Sequence, residues 1–444
     1  MRIKLGVPLR LSEIAGCFKL PCASDEQIYY ISTDTREANS KDLFFALSGK
    51  NDSGEKYVDN ELCKKMFVVT TKPLESALTV NDTREALLTL SRYYMSRLKN
   101  LKYTVAITGS VGKTTTKEFT KMIVSKKYVT HSTKGNFNNE IGVPLTILSA
   151  PENTEVIIAE VGMNHFGEIS RISKVLNPDI SLITNIGTAH IGNLGSRENI
   201  ARAKLEILDG MKNGTLIVPK DEMLLFPLGD KAFSTSDISA DYCVTADSIY
   251  ENGAPVAKHG FSLVGAHFLI CLSAAVAISL CISVEKKLLL SGISDISWEN
   301  TRQNIKKVGC FYIFEDYYNA SLESVEADFK LILSHTNFAK KSALIGDILE
   351  LGEHRESIHR EIGRLAMHYG LDKLYLFGEY CTYISEGAIS AGFDKSKIFI
   401  NNNKSNLELT KKQILDNTDS DEIILFKASR GMHLEKIVDA LTHN

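Results

Sequence analysis

The residues Thr108-Gly-Ser-Val-Gly-Lys-Thr-Thr-Thr116 lie between an apolar, strand-like run and a helical stretch, which indicates a strand–turn–helix unit. Glycines in such a turn let backbone N–H groups approach a phosphate, and the helix N-terminus adds partial positive charge. Lys113 would reach the β- and γ-phosphates of a nucleotide, and the Thr114 hydroxyl would ligate Mg²⁺. The residues predicted to bind the nucleotide are Thr108, Gly109, Ser110, Val111, Gly112, Lys113, Thr114 and Thr115.

This phosphate loop departs from the general pattern, because the position of its first glycine is occupied by Ile107. Only Gly109 and Gly112 remain as loop glycines. The alternative interpretation is a glycine-rich turn that binds no ligand. The consecutive Gly-Lys-Thr-Thr disfavours that alternative, since a plain turn needs neither the lysine nor the hydroxyl.

Strand-like and helical segments alternate on the C-terminal side of this loop. Apolar strands are predicted at 105–108, 156–160, 180–185 and 215–218, with helices at 117–125, 167–176 and 198–211. A second alternating block has predicted strands at 311–315, 341–346, 373–378, 397–400 and 422–427. Alternation of this kind predicts parallel sheets with ligands at the carboxyl ends of the strands.

The first hundred residues are more mixed, with strand-like runs at 27–33, 43–47 and 66–70 before a helical pattern. A chain of 444 residues is too long for one hydrophobic core. We therefore predict an α/β protein of three domains, a central phosphate-loop domain with a parallel sheet flanked by an N-terminal α/β domain and a C-terminal Rossmann-like α/β domain. The predicted domains are residues 1–100, 101–304 and 305–444.

Composition limits the classes of function. The formal net charge of −3 gives no reason to expect nucleic acid or an anionic membrane as a partner. The eight cysteines form no Cys-x-x-Cys pair, and scattered thiols favour a reducing compartment. The start of the chain lacks the apolar run of a secretory signal. The apolar stretch 261–284 is rich in alanine and serine, so we expect a buried helix rather than a membrane span, and a cytoplasmic protein.

Several polar residues stand at strand ends or in loops where chemistry is expected. Glu160 ends the apolar run 156–159, where it would ligate Mg²⁺ or simply mark a strand leaving the core. His190 follows another predicted strand, and its residue type alone fits a structural role as well as a catalytic one. Three asparagines would position a substrate or cap turns: Asn136, Asn138 and Asn139.

The chain resembles the Mur ligases and their folylpolyglutamate synthetase relatives. Thr-Gly-x-x-Gly-Lys-Thr-Thr is similar to the shortened phosphate loop of that family. Further stretches match it in the same order over almost the whole chain: Gly135-Asn-Phe-Asn-Asn-Glu-Ile-Gly-Val-Pro144, Ala159-Glu-Val-Gly-Met163, Ile183-Thr-Asn-Ile-Gly-Thr-Ala-His190 and Ala203-Lys-Leu-Glu206. The likeness is greatest to the branch that adds D-alanyl-D-alanine to UDP-N-acetylmuramoyl tripeptide. That likeness rests on Asp34-Thr-Arg36, Asp42-Leu-Phe-Phe-Ala-Leu47, Asp316-Tyr-Tyr-Asn-Ala320, and Gly346-Asp-Ile-Leu-Glu-Leu-Gly352 followed by His359.

The resemblance implies an ATP-dependent ligase of peptidoglycan precursor synthesis that joins a carboxylate to an amine through an acyl phosphate. It implies two Mg²⁺ ions, with Thr114 and Glu160 on the first ion and His190 and a carbamylated Lys204 on the second. It implies that Arg302, Asp316 and Asn319 reach the nucleotide. The substrates would be a UDP-linked muramoyl peptide and D-alanyl-D-alanine, with no nucleic acid or membrane partner, and we expect a monomer.

The resemblance also assigns the ends of the substrates. The UDP end would lie on the first domain at Asp34, Thr35 and Arg36, although an ion pair within that loop is the alternative for Arg36. Lys427 and Ser429 would hold the incoming amine or its carboxylate, and a surface turn is the alternative there.

The sequence departs from the family pattern around the nucleotide base and the substrates. The departures are His267-Phe-Leu-Ile-Cys-Leu272, Tyr318-Asn-Ala-Ser-Leu322, Ala428 and Ser53-Gly-Glu55. They suggest either a divergent ligase of the same kind or a paralogue, and two hypotheses other than the wall ligase stay open. One is a paralogue that joins another amino acid or peptide to a different carboxylate. The other is a phosphate-loop ATPase or switch protein that does not ligate.

Overall fold

The computed structural model describes residues 1–22, 24–49, 52–263, 265–297 and 304–442. Its first sheet has the strand order β1-β2-β3-β4-β5, and only the β1–β2 pair is antiparallel. The strands are β1 (Arg2–Arg10), β2 (Gln27–Ser32), β3 (Leu43–Phe45), β4 (Phe67–Thr70) and β5 (Leu78–Thr79). The helices that accompany them are α1 (Leu11–Cys17), α2 (Asn60–Lys65) and α3 (Thr83–Arg97).

Helix α3 connects the first sheet to the central part of the chain through hydrogen bonds. Asp82 caps this helix by accepting hydrogen bonds from the backbone N–H groups of Arg84 and Glu85. The fully buried Tyr94 donates its hydroxyl to the carbonyl of Ala150 over 2.7 Å. The same hydroxyl accepts from the Val7 N–H over 2.6 Å, so one side chain joins β1 and α3 to the loop at residue 150 of the central part.

The central sheet has the strand order β14-β13-β12-β11-β10-β9-β6-β8-β7 and is parallel except at β13 and β14. Its strands are β6 (Tyr103–Thr108), β7 (Thr130–Ser132), β8 (Val156–Glu160), β9 (Ile180–Ile183), β10 (Thr215–Pro219), β11 (Lys231–Ser234), β12 (Tyr242–Val244), β13 (Ser248–Glu251) and β14 (Ala254–Lys258). Because β6 lies between β8 and β9, the carboxyl ends of these three strands meet at one edge of the sheet.

The helices of the central part are α4 (Lys113–Val124), α5 (Gly142–Leu148), α6 (Glu168–Leu176), α7 (Ile191–Leu194), α8 (Arg197–Leu205), α9 (Ala266–Cys281) and α10 (Lys286–Ser294). The predicted buried helix within 261–284 is confirmed as α9, which packs against α4 and buries the residues Ala274–Ala277. In the described ranges, no helix combines the length and apolarity that crossing a bilayer requires.

The third sheet has the strand order β15-β16-β20-β17-β18-β19 and is parallel except for the β15–β16 pair. Its strands are β15 (Asn304–Val308), β16 (Phe311–Glu315), β17 (Lys340–Gly346), β18 (Leu374–Phe377), β19 (Ile398–Asn401) and β20 (Glu422–Lys427). Its helices are α11 (Leu322–Ser334), α12 (Arg355–His368), α13 (Cys381–Ser390), α14 (Leu407–Asn417) and α15 (Glu435–Thr442).

The predicted α/β class is confirmed by these three sheets. The helix predicted over 198–211 is shorter, since α8 ends at Leu205 and a 3-10 helix covers Glu206–Gly210. Short or solvent-facing strands such as β7 and β14 were not predicted, because their sequences show too little of the apolar pattern that marks a strand. The first two sheets lie within the ranges 1–100 and 101–304, whereas β15 of the third sheet begins at Asn304, one residue before the predicted boundary. The boundaries themselves stay a prediction.

Candidate active site

The phosphate loop joins β6 to α4 and is fixed from behind by the segment that follows β9. A Cβ at Gly109 would lie 1.8 Å from the Thr184 hydroxyl, so this position requires glycine. Gly112 has φ +83°, a left-handed conformation that glycine adopts without strain. The Asn185 side chain accepts from the Val111 N–H and donates to the Val111 carbonyl, each over 3.0 Å. The loop is therefore held in one shape before any ligand binds.

Lys113 is the first residue of α4 and folds back over the phosphate loop. Its ammonium donates to the carbonyl of Gly109 over 2.6 Å and to the carbonyl of Ser110 over 3.1 Å. The positive charge thus stands at the helix N-terminus, where backbone N–H groups also point outward. This arrangement suits a polyphosphate.

Glu160 lies at the carboxyl end of β8 with its side chain 1% exposed. Its Oε2 accepts from the Thr114 hydroxyl over 2.7 Å, and its Oε1 accepts from the Asn138 amide over 2.8 Å. No lysine, arginine or histidine in the described ranges forms an ion pair with it. A buried carboxylate beside a hydroxyl is the hard-oxygen donor set that Mg²⁺ prefers, with waters completing the octahedron. The residues present therefore fit a magnesium ion.

The asparagine loop enters the site from the other side, and its three asparagines differ in role. Asn138 holds Glu160 as described. Asn139 accepts from the backbone N–H groups of Ile141 (3.1 Å) and Gly142 (2.8 Å) at the start of α5. Asn136 lines the cavity in front of the loop. The capping alternative therefore describes the side-chain contacts of Asn139, although all three asparagines line the cavity where a ligand would bind.

Lys204 lies on α8 with its side chain 2% exposed. Burial, reinforced by the charge of Lys113, lowers the pKa of Lys204 well below its ordinary value. No carboxylate of the described residues pairs with it. A lowered pKa favours the neutral amine, which is the form of lysine that reacts with CO₂, so the residue fits the carbamylation that the family likeness implies.

His190 lies at the edge of the cavity and contacts the third sheet's part of the chain. Its φ is +66°, a conformation that few residues other than glycine adopt. Its Nδ1 lies 2.7 Å from Glu350 Oε2, in the loop after β17. The ring is thereby oriented, with Nε2 as the nitrogen left to meet a ligand.

A cavity of about 380 Å³ between the central and C-terminal parts is lined by most of these groups, although Lys204 is not one of its lining residues. Its central wall includes the phosphate loop from Ser110 to Thr115, the asparagines, Glu160 and His190. Its other wall includes Asp316, Tyr318, Asn319, Asp328 and Lys427. The cavity therefore brings together most of the residues predicted to bind the nucleotide and to ligate metal.

Lys427 belongs to this second wall and forms a cluster with two carboxylates. Its ammonium lies 2.8 Å from Asp316 and 2.7 Å from Asp328. Burial alone would lower the pKa of Lys427, but the two carboxylates outweigh burial and raise it. Burial holds the pKa of Asp328 well above its ordinary value, and Lys427 offsets this only in part. Lys427 is thus buried rather than part of a surface turn, and it positions Asp316.

Replacing Lys427 with alanine is expected to lower the free energy of unfolding by about 3–5 kcal/mol, because the buried carboxylate of Asp328 and the partly buried carboxylate of Asp316 would lose their cation. The measurement is urea unfolding followed by circular dichroism. Lys436→Ala, at an exposed position of the same part of the chain, is the matched control and should change stability by less than about 0.5 kcal/mol. Equal stabilities of the two variants would contradict the role assigned to the cluster.

Seven predicted residues within the described ranges do not line the cavity: Asp34, Thr35, Arg36, Thr108, Gly109, Lys204 and Ser429. Asp34 and Arg36 form an ion pair over 2.5 Å, and hydrogen bonds from Arg36 lower the pKa of Asp34. Ser429 is buried and accepts from the Leu349 N–H over 2.9 Å. Arg302 lies outside the described residues. Thr35 lies in the same exposed loop as Arg36.

Sequence reasoning missed several residues that shape the site. Thr133 accepts from the Glu160 N–H over 3.0 Å through its hydroxyl and from the Lys117 ammonium over 2.7 Å through its carbonyl. Asn185 and Asp328 were also missed. The signal for Asn185 was present, since it lies within a motif already singled out. Nothing local marked Thr133 or Asp328, because their contacts depend on distant segments.

Comparison with known proteins gives consistent results. Residues 107–252 match the Mur ligase middle domain. The chain is 34% identical over 446 residues to the UDP-N-acetylmuramoyl-tripeptide–D-alanyl-D-alanine ligase of Bacillus subtilis (strain 168), covering 96% of both chains. The fold is similar to a MurF crystal structure from Acinetobacter baumannii, with TM-score 0.87, 27% identity and 100% of both chains covered. A Thermotoga maritima MurF ligase in complex with ADP shares the fold at TM-score 0.75 and 23% identity, over 93% of this chain and 97% of that one.

Proposed function

The chain belongs to the Mur ligase family, and on that premise we propose that it joins D-alanyl-D-alanine to UDP-N-acetylmuramoyl tripeptide at the expense of ATP, in peptidoglycan precursor synthesis. The observation that carries the proposal is the full-length similarity to a ligase of that name, combined with a phosphate loop that faces Glu160 across one cavity. The alternatives of a different amine or of ATP hydrolysis without ligation are outcomes of the experiment below.

Forming an amide from a carboxylate and an amine is uphill in water, so the carboxylate must first be activated. One oxygen of the tripeptide carboxylate attacks the γ-phosphorus of ATP, the bond to the β-phosphate oxygen breaks, and ADP leaves. The neutral amine of the dipeptide then attacks the acyl carbon, inorganic phosphate leaves, and the amine gives up a proton. Lys113 and the N-terminus of α4 offset the repulsion between the two anions and stabilise the transferring phosphoryl group.

Thr114 and Glu160 would hold one Mg²⁺ ion, and His190 with carbamylated Lys204 a second. The ions supply charge neutralisation for the phosphates. Asn138 orients Glu160, and Glu350 orients His190. Asn136, Asn138 and Asn139 lie where they would meet the acceptor carboxylate or the γ-phosphate.

The third domain, residues 305–444, would close over the nucleotide. Asp316 and Asn319 face the cavity and would contact the nucleotide, with Arg302 reaching it from the domain junction. We assign Lys427 and Ser429 to the region that binds the dipeptide. They would act indirectly, Lys427 through Asp316 and Asp328 and Ser429 through the backbone N–H of Leu349. We further propose that the protein is cytoplasmic, since all eight cysteines are unpaired thiols, and that it acts as a monomer.

The sugar nucleotide would run along the boundary of the first two domains, residues 1–100 and 101–304. A groove of about 510 Å³ lies there between β1 and the segment 132–151. Lys4 and Lys134 line it, as does Arg2, which Asp42 holds over 2.7 Å. The loop of Asp34, Thr35 and Arg36 lies at the start of β1, because the Thr33 N–H donates to the Met1 carbonyl over 2.8 Å. Basic walls between this loop and the asparagine loop suit an anionic nucleotide sugar.

Neutralising both groove lysines, as Lys4→Gln with Lys134→Gln, is expected to raise KM for the sugar nucleotide about tenfold through the loss of charge-assisted contacts to phosphate. KM for ATP should stay unchanged, and the effect should shrink at high ionic strength. Lys65→Gln, an exposed lysine of the first domain, is the control. A rise in the ATP KM instead would refute this path for the substrate.

The experiment that tests the function is phosphate release from ATP and Mg²⁺ with UDP-N-acetylmuramoyl tripeptide, with and without D-alanyl-D-alanine, following product mass. The proposal predicts release that requires both substrates and a product heavier by the dipeptide. Turnover only with another amine from a panel of amino acids and dipeptides would identify a ligase of different specificity. Release without any amine would identify an ATPase.

A further inference from the structure

Glu323 connects the third domain to the segment that supports the phosphate loop. It lies in the first turn of α11, whose N-cap is Ser321. Its carboxylate accepts from the Thr188 N–H over 2.8 Å and from the Thr188 hydroxyl over 3.1 Å. Thr188 belongs to the segment between β9 and α7, so the contact crosses from the third domain to the central one.

The approach of the two domains at this point is close. A Cβ on Gly187 would lie 2.8 Å from the Glu323 carboxyl carbon. The obstacle is the far end of a flexible side chain, so an alanine at 187 would displace the carboxylate without forcing the backbone apart. Glycine at this position therefore leaves room for the carboxylate to reach Thr188.

The segment that receives Glu323 is also the segment that holds the phosphate loop. The Gly187 N–H donates to the Ser110 hydroxyl over 2.9 Å. Two residues earlier, Asn185 holds both backbone groups of Val111. Within the segment 185–188, Asn185 and Gly187 thus contact the phosphate loop, and Thr188 contacts the third domain.

A second contact holds the domains together independently of Glu323. The Gly192 N–H donates to the Glu350 carbonyl over 3.0 Å, and a Cβ on Gly192 would lie 2.4 Å from the Gly352 nitrogen. Removing Glu323 therefore leaves a docked domain, so its effect should appear in the phosphate loop rather than in the fold.

We propose that Glu323 is a positioning residue, which couples docking of the third domain to the geometry of the phosphate loop through Thr188 and Gly187. The inference rests on the ligase reaction proposed above, since the nucleotide must be held by groups of both domains. Glu323 itself does not contact the substrate in this proposal. Docking of the third domain then favours ATP binding, and ATP binding favours docking, as expected for a site that is formed by two domains together.

The test compares Glu323→Ala, Glu323→Gln and Gly187→Ala by two readouts, kcat for phosphate release and the affinity for ATP–Mg²⁺ alone. Glu323→Ala and Gly187→Ala should lower kcat about 10- to 100-fold, as expected for loss of hydrogen bonds to a charged group, and should weaken ATP binding. Glu323→Gln keeps an acceptor for the Thr188 N–H and should restore most of both. Glu326→Ala, one turn further along α11 and paired with Lys330, is the control and should match the parent protein.

A double-mutant cycle distinguishes coupling from general damage. Thr188→Val removes only the hydroxyl donor, and Glu323→Ala with Thr188→Val together should lose no more than Glu323→Ala alone. Additive losses, or parent-like kcat and ATP affinity in Glu323→Ala, would overturn the proposal. The ATP-affinity readout needs no ligation, so an inactive parent protein would count against the proposed function while this inference could still be judged.

Discussion

Lys113→Met is expected to lower the rate of phosphate release by about 10²- to 10³-fold, the loss typical for one preorganised group that stabilises a transition state. Two lysines are present among the described residues of the cavity wall. Lys427 is held between two carboxylates, whereas Lys113 stands at the N-terminus of α4 against backbone carbonyls. The charge that meets the phosphates therefore comes from Lys113, and methionine keeps its length while removing that charge.

The measurement is steady-state phosphate release at saturating substrates, with circular dichroism to show that the fold is kept. Lys121→Met lies on the same helix at an exposed position and serves as the matched control. It should retain parent activity. A Lys113→Met protein that turns over at the parent rate would mean that phosphoryl transfer occurs elsewhere.

Lys204→Met is expected to reduce turnover by a comparable factor, about 10²-fold or more, while the protein stays folded. The side chain is buried without a carboxylate partner among the described residues, and burial lowers its pKa, so it contributes little favourable charge interaction to the fold. Methionine of similar volume should pack in its place at no loss of stability. Loss of turnover without loss of stability would show that this lysine has a functional role rather than a structural one.

Two measurements check this prediction. Thermal unfolding should give Lys204→Met a midpoint no lower than that of the parent. With ¹³C-labelled bicarbonate, the parent protein should show a carbamate resonance that Lys204→Met lacks, and Lys212→Met should keep it. Full turnover in Lys204→Met, or an unchanged carbamate signal, would remove Lys204 from the site.

The parts of the site that the sequence predicts are those encoded within a few consecutive residues. The phosphate loop follows a strand and begins a helix, so Lys113 and Thr114 could be placed without knowing the rest of the chain. Glu160 could be placed because an apolar strand ends there. That these two segments lie close together could also be predicted, because the carboxyl ends of parallel strands lie at the same edge of a sheet. In the structure they meet through the hydrogen bond from Thr114 to Glu160.

The remaining contacts join segments far apart in the chain, and no local pattern encodes them. Lys427 looked like a binding residue after a strand, yet its partners Asp316 and Asp328 bury it. Glu323 lies 135 residues from Thr188 and carries no motif of its own. Asn139 shares a motif with Asn138, but only the position of α5 shows that it caps a helix.

The most direct test of the central claim is transfer of oxygen from the acceptor to phosphate. UDP-N-acetylmuramoyl tripeptide carrying ¹⁸O in its terminal carboxylate would be turned over with ATP, Mg²⁺ and D-alanyl-D-alanine. Activation through an acyl phosphate predicts one ¹⁸O atom in each inorganic phosphate released and one fewer in the amide product. Inorganic phosphate without ¹⁸O would show that water, not the carboxylate, attacks ATP, and would contradict the assignment of the protein as a ligase.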